Sequence, residues 1–347
     1  MNTKRIAGGQ NVVNAAVKQE IVKLHKQGMS FGNIAKQLGL ALGTVKTHWY
    51  LSEGQATAPQ RIPESPYPRY DDPPTLEGDA LVIPDSEIPF HHAEFMNRVF
   101  DIADAWGIKQ CIWAGDALHF DSLSGWEPNW AKEPNGGLSE SDEARLLTFA
   151  KKLPDKYQQE LIEHIVDIGG NEADGGFSGE MHYARKTFAA IDDLFAVNLW
   201  VMGNHEGRLL RAINSPVQPS ELLNLMKLDE GRWKIAPFYY AILRTNKGDY
   251  RITHPKGSSN GMARKMASQY LQHILMAHSH KTFFDWDISG RYYAIQMGAC
   301  VDESRLPYAS QRDAIRDSHK EGAVIVREGH PYLLHDGIDW ERTKGMK

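Results

Sequence analysis

LWVMGNHEGR, residues 199–208, is the stretch that most narrows the choice of fold for this chain. Its first residues are apolar and indicate a buried strand that ends at Gly203, and a helix is expected from Glu206 onward. Asn204 and His205 therefore lie where a strand gives way to a loop, which is where α/β enzymes keep their chemistry. A helix that begins there also directs free backbone N–H groups toward an anion.

Polar groups suited to metal binding recur in four further fragments of the sequence. They are Asp85 in LVIPDSE, Asp116 in IWAGDALHFD, His254 in YRITHP, and His278 with His280 in LMAHSHK. Residues two apart on an extended segment point the same way, so the rings of His278 and His280 can face one cluster. His254 alone would be read as an ordinary surface or core histidine, but five ordered fragments are hard to produce by chance.

The mixture of carboxylate, amide and imidazole groups points to a metal centre. These donors suit Mn, Fe, Zn or Ni, and the presence of only two cysteines argues against a Cys-based zinc site. Two divalent ions about 3.5 to 4 Å apart suit phosphoester hydrolysis, because both can hold the oxygens of an in-line displacement. The sequence therefore predicts two divalent ions, with Mn²⁺ expected first and Fe, Zn, Ni or Mg as alternatives.

The order of the fragments, D-x-(H), GD, GNH(E), H and (G)H-x-H, resembles the calcineurin-like metallophosphoesterase superfamily over roughly residues 80 to 300. The resemblance implies an α/β fold in which a two-sheet β-sandwich is flanked by helices. It also implies that Asp116 bridges both ions and that His205 assists the leaving group. The remaining implied ligands are Asp85 and His280 for the first ion, and Asn204, His254 and His278 for the second.

Two positions depart from the family pattern. Glu87 stands two residues after Asp85, where the family usually has a metal-binding histidine. A carboxylate there can bind metal directly, which would favour Mn or Mg; it can instead hold a water or leave the first ion weakly bound. Ala277 stands where the family more often has glycine before the H-x-H pair, and a methyl group is expected to be tolerated.

Two other polar residues near the fragments, Arg208 and His119, have two interpretations each. Arg208 lies one helical turn past Asn204, so its guanidinium could reach a phosphate, or it could form a salt bridge on a surface helix. His119, three residues after the GD pair, could act beside the metals or the substrate, or could be structural. His91 and His92 stand at the head of a predicted helix and are interpreted as a partly solvated helix start.

The N-terminal segment IVKLHKQGMSFGNIAKQLGLALGTVKTHWY has the pattern of three short helices. A first helix stops at Gly28, Ser30 can cap a second, and Gly39 supplies the turn before a third. The spacing of Ala35, Gly39 and Val45 allows the close helix contact, the turn and the buried wedge of a helix-turn-helix. The segment resembles the helix-turn-helix of resolvase-like and phage DNA-binding domains.

The resemblance places a recognition helix at about residues 42–50. Its side chains available to the groove or the phosphates of DNA are Thr44, Lys46 and Thr47. The alternative is a small helical bundle with basic faces that mediates protein contacts. One such unit alone would bind DNA weakly, so useful affinity would require oligomerisation or a second contact.

The charge of the chain is divided unevenly. Its net charge is −5, yet residues 1–50 carry seven Lys or Arg and one acid, which gives +6 and leaves −11 for the rest. Six prolines between Pro59 and Pro74 preclude helix and favour an extended, semi-rigid tether. The sequence therefore predicts a helix-turn-helix domain at 1–51, a Pro-rich linker at 52–79 and a metallophosphoesterase domain at 80–347.

The larger part alternates strands and helices and then becomes rich in strands. Strands are expected near 80–84, 109–114 and 197–202, and helices at 91–106 and between 140 and 195. After residue 235 the strand-like segments are PFYYAILRT, YRIT, HILMA, FFDWDI, RYYAIQM, AVIVRE and PYLLH, with a hairpin turn at Ser289 and Gly290. The stretch 122–180 is predicted to be an insertion over the site, with Trp126 and Trp130 available for stacking on bases or for packing.

The sequence predicts a soluble, cytoplasmic protein of a bacterium or a phage-infected host cell. Two cysteines imply no disulfide framework, and neither a membrane-length apolar run nor a signal core is found. The predicted function is a metal-dependent phosphodiesterase, most readily a DNA-directed nuclease of the kind a phage could encode. The alternatives are a small-molecule phosphatase or cyclic-nucleotide phosphodiesterase localised by its helix-turn-helix, and a non-enzymatic DNA-binding or assembly protein with a vestigial metal site.

Overall fold

The computed structural model describes residues 15–53, 72–120, 123, 140–150, 152–153, 155–168, 176–212, 219–306 and 319–346. The chain divides into two compact units, Met1–Tyr70 and Asp71–Lys347. Residues 54–71 of the predicted linker, and Trp126 and Trp130 of the predicted insertion, lie outside the described residues. None of the helices in the described ranges is both long and apolar enough to cross a lipid bilayer.

The described part of the N-terminal unit consists of three short helices, α1 (Ala15–Lys26), α2 (Phe31–Leu38) and α3 (Leu42–Ser52). As predicted, the Ser30 side chain caps α2 by accepting a hydrogen bond from the backbone N–H of Asn33, and Gly39 ends α2 with φ 63°. Helices of this length need tertiary packing to be stable. The buried core that supplies it contains Ile21, Leu24, Ile34, Ala35 and Val45.

The strands of the larger unit form two six-stranded sheets. In chain order they are β1 (Thr75–Glu77), β2 (Ala80–Ile83), β3 (Gln110–Trp113), β4 (Val197–Val201), β5 (Trp233–Ala236), β6 (Tyr240–Thr245), β7 (Gly248–Thr253), β8 (His273–Met276), β9 (Thr282–Trp286), β10 (Tyr293–Met297), β11 (Ala323–Arg327) and β12 (His330–Leu334). The first sheet has the order β12-β11-β2-β3-β4-β5, in which β2 to β5 are parallel. The second has the order β1-β6-β7-β8-β10-β9 and mixes parallel with antiparallel pairs.

The two sheets pack face to face with helices outside them. Val82, Ile112 and Leu199 of the first sheet share one buried core with Ile252 and Leu275 of the second. The helices are α4 (Ala93–Ala105), α5 (Glu140–Ala150), α6 (Asp155–Ile168), α7 (Gly176–Ile191), α8 (Glu206–Ala212), α9 (Pro219–Leu225), α10 (Met262–Tyr270) and α11 (Trp340–Lys344). The outer face of the first sheet buries side chains of α4 to α7 and α9, and α10 covers the outer face of the second.

Two strands were not predicted from the sequence. β1 lies inside the stretch predicted as linker, where it pairs in parallel with β6. It is only three residues long, which is too short for an alternating pattern to be visible. β5 pairs in parallel with β4 at the edge of the first sheet. The predicted hairpin at Ser289 and Gly290 is confirmed, since it joins the antiparallel strands β9 and β10.

Candidate metal centre

The predicted ligands lie just beyond the carboxyl ends of five strands. In the first sheet Asp85 follows β2, Asp116 follows β3 and Asn204 follows β4; in the second, His254 follows β7, and His278 and His280 follow β8. β2, β3 and β4 are parallel neighbours, as are β7 and β8. Each sheet therefore delivers its polar residues to one edge, where the two sets come into contact.

The loops that carry these residues are conformationally strained. Positive φ angles occur at Asp85 (40°), Glu87 (44°), Asp116 (47°), His278 (72°) and His280 (52°). A residue with a side chain loses on the order of 1–3 kcal/mol in such a conformation, which persists only where the surrounding structure fixes it. Five of the nine non-glycine residues with positive φ in the described part of the chain therefore lie at these strand ends.

One half of the centre, here called the imidazole half, consists of Asp116, Asn204, His254 and His278. The Nε2 atom of His254 lies 3.1 Å from Oδ2 of Asp116 and 3.1 Å from Oδ1 of Asn204. Donor atoms of Asp116, His254 and His278 all lie within 4.8 Å of one another. Neighbouring ligands of an octahedral ion bound at about 2.1 Å are separated by roughly 3 Å, so these spacings fit a divalent cation.

The other half, here called the carboxylate half, consists of Asp85, Glu87 and His280. The Nε2 atom of His280 lies 3.2 Å from Oε1 of Glu87 and 3.7 Å from Oδ1 of Asp85. Both carboxylates are buried. The two carboxylate oxygens of Asp85 also accept the backbone N–H of His278, Oδ1 at 3.1 Å and Oδ2 at 2.8 Å. Glu87 thus lies inside the centre, with one oxygen placed as a ligand would be.

His205 lies between the two halves. Its Nδ1 is 3.9 Å from Oε2 of Glu87 and its Nε2 is 3.7 Å from Oδ2 of Asp116, while its backbone N–H donates to Oδ1 of Asp116 at 2.8 Å. The Nδ1 atom is buried and has no hydrogen-bond partner among the described residues. His119 also contacts Glu87, with its Nδ1 2.5 Å from Oε2 of Glu87.

Glu206 links the loop after β3 to the loop after β4 through hydrogen bonds. Its fully buried carboxylate accepts the backbone N–H groups of Asp116 at 3.0 Å, Gly203 at 2.8 Å and Leu118 at 3.1 Å. Gly203 permits this approach, because a Cβ at that position would lie 2.1 Å from Oδ1 of Asp116. Burial, together with the charge of Asp116, raises the pKa of Glu206 to about 7.

The buried acids and imidazoles shift one another's pKa values. Burial disfavours charge on Asp116, but His254 and His205 outweigh it and hold the Asp116 pKa below its ordinary value. Burial likewise opposes charge on His254, yet Asp116 raises its pKa to about 9. Burial opposes charge on Glu87 too, but His205 and hydrogen bonds from His119 and His280 bring its pKa well below normal. The carboxylates are therefore compensated by positive charge, a role that bound cations could take over.

A third group of residues adjoins the carboxylate half, and two of its members, Glu303 and His319, were not predicted from the sequence. It consists of His280, Glu303 and His319. Glu303 begins a 3₁₀ turn, Glu303–Arg305, and His319 forms an isolated bridge with Lys281. Neither residue belongs to a motif or follows a strand directly, so no local signal identifies it. Glu206 lies within the LWVMGNHEGR motif, but the motif does not predict its contacts with backbone N–H groups.

No salt bridge of Arg208 is found among the described residues. Its Nη1 donates to the backbone oxygen of His119 at 3.0 Å, which ties α8 to the loop after β3. Contact of Arg208 with a phosphate remains a prediction. His92 caps α4 by accepting the backbone N–H of Phe95 at 3.1 Å, as expected for a helix start.

The predicted DNA-contacting residues lie on α3 and differ in exposure. Thr44 and Lys46 are half-buried and Thr47 is exposed, whereas Val45 faces the core. Their contact with DNA remains a prediction.

Comparison of the sequence with protein-family models gives no match, and a search of curated proteins gives none either. The two mixed sheets, the helices and the buried His, Asp and Glu groups are compatible with a metallophosphoesterase-like fold, and these groups could hold metal ions.

Proposed function

We propose that this protein is a dinuclear metal-dependent phosphoesterase of the calcineurin-like type, and that it hydrolyses phosphodiester bonds in DNA. The observation that carries the proposal is the convergence of buried carboxylate, amide and imidazole groups from both sheets, with His205 beside them. Asp116 links the halves, because its carboxylate contacts His254 and its backbone oxygen accepts the N–H of Glu87 at 2.9 Å.

The two halves of the centre provide the ligands for two divalent ions. The imidazole half would hold one ion and the carboxylate half the other, with Asp116 shared. When bound, such ions act as Lewis acids on a phosphate and make a water nucleophilic at neutral pH. Hard oxygen donors at Asp85, Glu87 and Asp116 favour Mn²⁺ over softer metals.

His205 is assigned the proton transfer to the leaving oxygen. Its backbone N–H is fixed to Asp116, and its ring lies between Asp116 and Glu87. A group whose position is determined in this way can act as a general acid without first reorganising. Glu206 supports the same geometry, since it fixes the backbone of Asp116 and Gly203.

DNA is the substrate that best accounts for the N-terminal unit. Residues 1–50 carry +6, and α3 presents Thr44, Lys46 and Thr47 around the buried Val45. Positive charge supplies sequence-independent attraction to phosphates, and a recognition helix adds contacts to base edges. Tethering would raise the local concentration of DNA near the metal centre.

The catalytic proposal is tested with the full chain and added Mn²⁺. Wild type, Asp116→Asn, His205→Ala and the exposed control Asp101→Asn are assayed on bis-p-nitrophenyl phosphate, single-stranded DNA and duplex DNA. Wild type and the control are expected to hydrolyse all three, and Asp116→Asn to be inactive. If wild type is inert with every metal tried, the enzymatic proposal should be abandoned, and DNA binding by that inert protein would favour a non-enzymatic role.

A second candidate is a phosphodiesterase or phosphatase that acts on a small molecule and is localised by its N-terminal unit. The net charge of −11 outside residues 1–50 favours it, because a long groove for nucleic acid is expected to be basic. Hydrolysis of bis-p-nitrophenyl phosphate without cleavage of either form of DNA would select this candidate.

The role of α3 is tested separately with Lys46→Ala. We expect weaker DNA binding and a salt-dependence slope smaller by about 1, with unchanged hydrolysis of the small diester. Lys227→Ala, which removes an exposed lysine of the larger unit, is the matched control. Equal DNA affinity and slope in wild type and Lys46→Ala would instead support a bundle that mediates protein contacts.

A further inference from the structure

We propose that Glu303 is a positioning residue for the metal centre, which fixes the His280 imidazole so that its Nε2 faces the carboxylate half. The consequence for metal binding rests on the proposed function; the orientation of the imidazole does not. Glu303 belongs to none of the fragments that resemble the metallophosphoesterase pattern. Its role follows from the contacts of its two carboxylate oxygens.

Each oxygen of Glu303 is engaged by a different imidazole. Oε1 lies 2.7 Å from Nδ1 of His280, and Oε2 lies 2.8 Å from Nδ1 of His319. An ionised carboxylate only accepts hydrogen bonds, so both Nδ1 atoms must carry hydrogen. The Nε2 atom of His280 is then the one presented to Glu87, 3.2 Å from Oε1. A histidine that binds metal through one nitrogen commonly donates from the other to a carboxylate in this way.

Hydrogen bonding describes the group of His280, Glu303 and His319 better than a third metal ion does. Ligands of a tetrahedral ion bound at about 2.05 Å are separated by roughly 3.3 Å. The separations of 2.7 and 2.8 Å at Glu303 are shorter and match charge-assisted hydrogen bonds. Oε1 of Glu303 and Oε1 of Glu87 thus flank opposite nitrogens of one imidazole.

The backbone holds the segment that contains His319 against His280. The N–H of Lys320 donates to the backbone oxygen of His280 at 2.8 Å, and the oxygen of Lys320 accepts the N–H of Ala299 at 3.1 Å. Gly322 makes the approach sterically feasible, because a Cβ there would lie 1.9 Å from the backbone oxygen of Met297. Main-chain contacts therefore hold the two residues whose imidazoles flank Glu303 close to each other.

The test compares Glu303→Ala, Glu303→Gln and the control Glu321→Ala in the full chain. Glu321 lies on the same segment as His319, and its carboxylate makes no hydrogen bond to either imidazole in the described part of the chain. Mn²⁺ binding is measured by calorimetric titration and metal content. We expect Glu303→Ala to weaken the binding of one of the two Mn²⁺ ions by about 10–100-fold. Glu303→Gln should weaken it less, because the amide oxygen still accepts one hydrogen bond. The control should bind both ions as wild type does.

A second readout needs neither metal nor substrate. Nitrogen-15 NMR of the histidine side chains in the metal-free protein, assigned with His280→Asn and His319→Asn, reports which ring nitrogens carry hydrogen. We expect a hydrogen-bonded Nδ1–H, seen as a downfield and slowly exchanging proton, on both residues in wild type and on one in Glu303→Gln, where the amide offers one acceptor and one donor. On neither residue should it persist in Glu303→Ala, where any Nδ1–H has lost its carboxylate acceptor. Thermal unfolding midpoints identify any variant that fails to fold.

The outcomes separate this inference from the proposed function. Selective weakening of one ion in Glu303→Ala, together with the altered Nδ1 protons, supports both. If wild type binds no Mn²⁺ but the Nδ1 protons change as expected, the proposed function fails and the orienting role stands. Unchanged Nδ1 protons in Glu303→Ala, or wild-type affinity for both ions, overturn the role of Glu303.

Discussion

The two halves of the candidate metal centre arise from the same kind of strand end but differ in charge. The imidazole half combines the single carboxylate of Asp116 with an amide and two imidazoles, those of His254 and His278. The carboxylate half combines two buried acids, Asp85 and Glu87, with one imidazole. Hard anionic donors prefer Mn or Mg, whereas imidazole also suits Zn and Fe, so the two halves are expected to differ in metal preference.

The halves also differ in their outer support. In the imidazole half, Nδ1 of His254 lies 3.1 Å from the backbone oxygen of Ala114, which belongs to the strand end itself. In the carboxylate half, Glu87 and His280 are held by side chains from elsewhere in the chain, His119 and Glu303. Glu87 is thus accompanied by the imidazole of His119, and His280 by the carboxylate of Glu303.

Replacing Asp116 should abolish the difference between the halves by disabling both. Asp116→Asn keeps the shape of the side chain but removes the charge that both ions are expected to share. We expect both ions to be lost and hydrolysis of bis-p-nitrophenyl phosphate to fall by at least about 10³-fold, beyond the 10–100-fold typical of an outer partner. Metal content after gel filtration and initial rates measure it. Retention of one tightly bound ion would show that Asp116 is not shared.

His205 lies between the halves, so its removal should affect chemistry without affecting either ion. His205→Ala is expected to lower DNA cleavage by on the order of 10²-fold, the range of general acid catalysis, because an alkoxide leaving group needs a proton. Hydrolysis of bis-p-nitrophenyl phosphate should fall much less, since nitrophenolate departs unprotonated. Equal losses on both substrates, or loss of metal, would exclude the assigned role.

The sequence was sufficient to predict the strand ends that carry the site. Apolar runs before Asp85, Asp116 and Asn204 predicted buried strands, and these became the parallel neighbours β2, β3 and β4. The pairing of β7 with β8, which brings His254 toward His278, could not be derived in the same way. Sheet register depends on contacts between residues far apart in sequence, and no local pattern specifies it.

The outer support of the site was predicted less completely. Glu303 and His319 reach His280 through folding of segments that lie far along the chain, and β1 is too short to show a period. The nearness of His119 to the GD pair indicated a role at the site or in the structure, and the His119 ring contacts Glu87. The sequence pattern thus identifies residues that directly follow strands. Residues brought to the site by tertiary packing can be identified only from the structure.

Glu206 supports both halves of the candidate centre, because it binds the backbone of Asp116 and of Gly203. Glu206→Gln replaces an acceptor of three backbone N–H groups with an amide that directs a donor at one of them. We expect the larger unit to lose about 1–3 kcal/mol of unfolding free energy, the cost of an unsatisfied buried group. Urea unfolding in EDTA measures it, with the exposed Glu160→Gln as control. If Glu206→Gln lost no more unfolding free energy than the control, the hydrogen bonds of Glu206 would not be what stabilises these loops.

The smallest expected effect is also the sharpest test of the comparison. Glu87→His places an imidazole in the carboxylate half and makes its donors resemble those of the other half. We expect the Mn-to-Zn binding ratio to shift toward Zn by about 10-fold at one of two ions, because imidazole is the softer donor. Metal content after equilibration with both metals measures the ratio, and His119→Gln controls for loss of the neighbouring hydrogen bond. An unchanged ratio would mean that Glu87 contacts His119 and His280 but does not bind a metal. The two halves would then differ in the residues that hold them in place and not in metal preference.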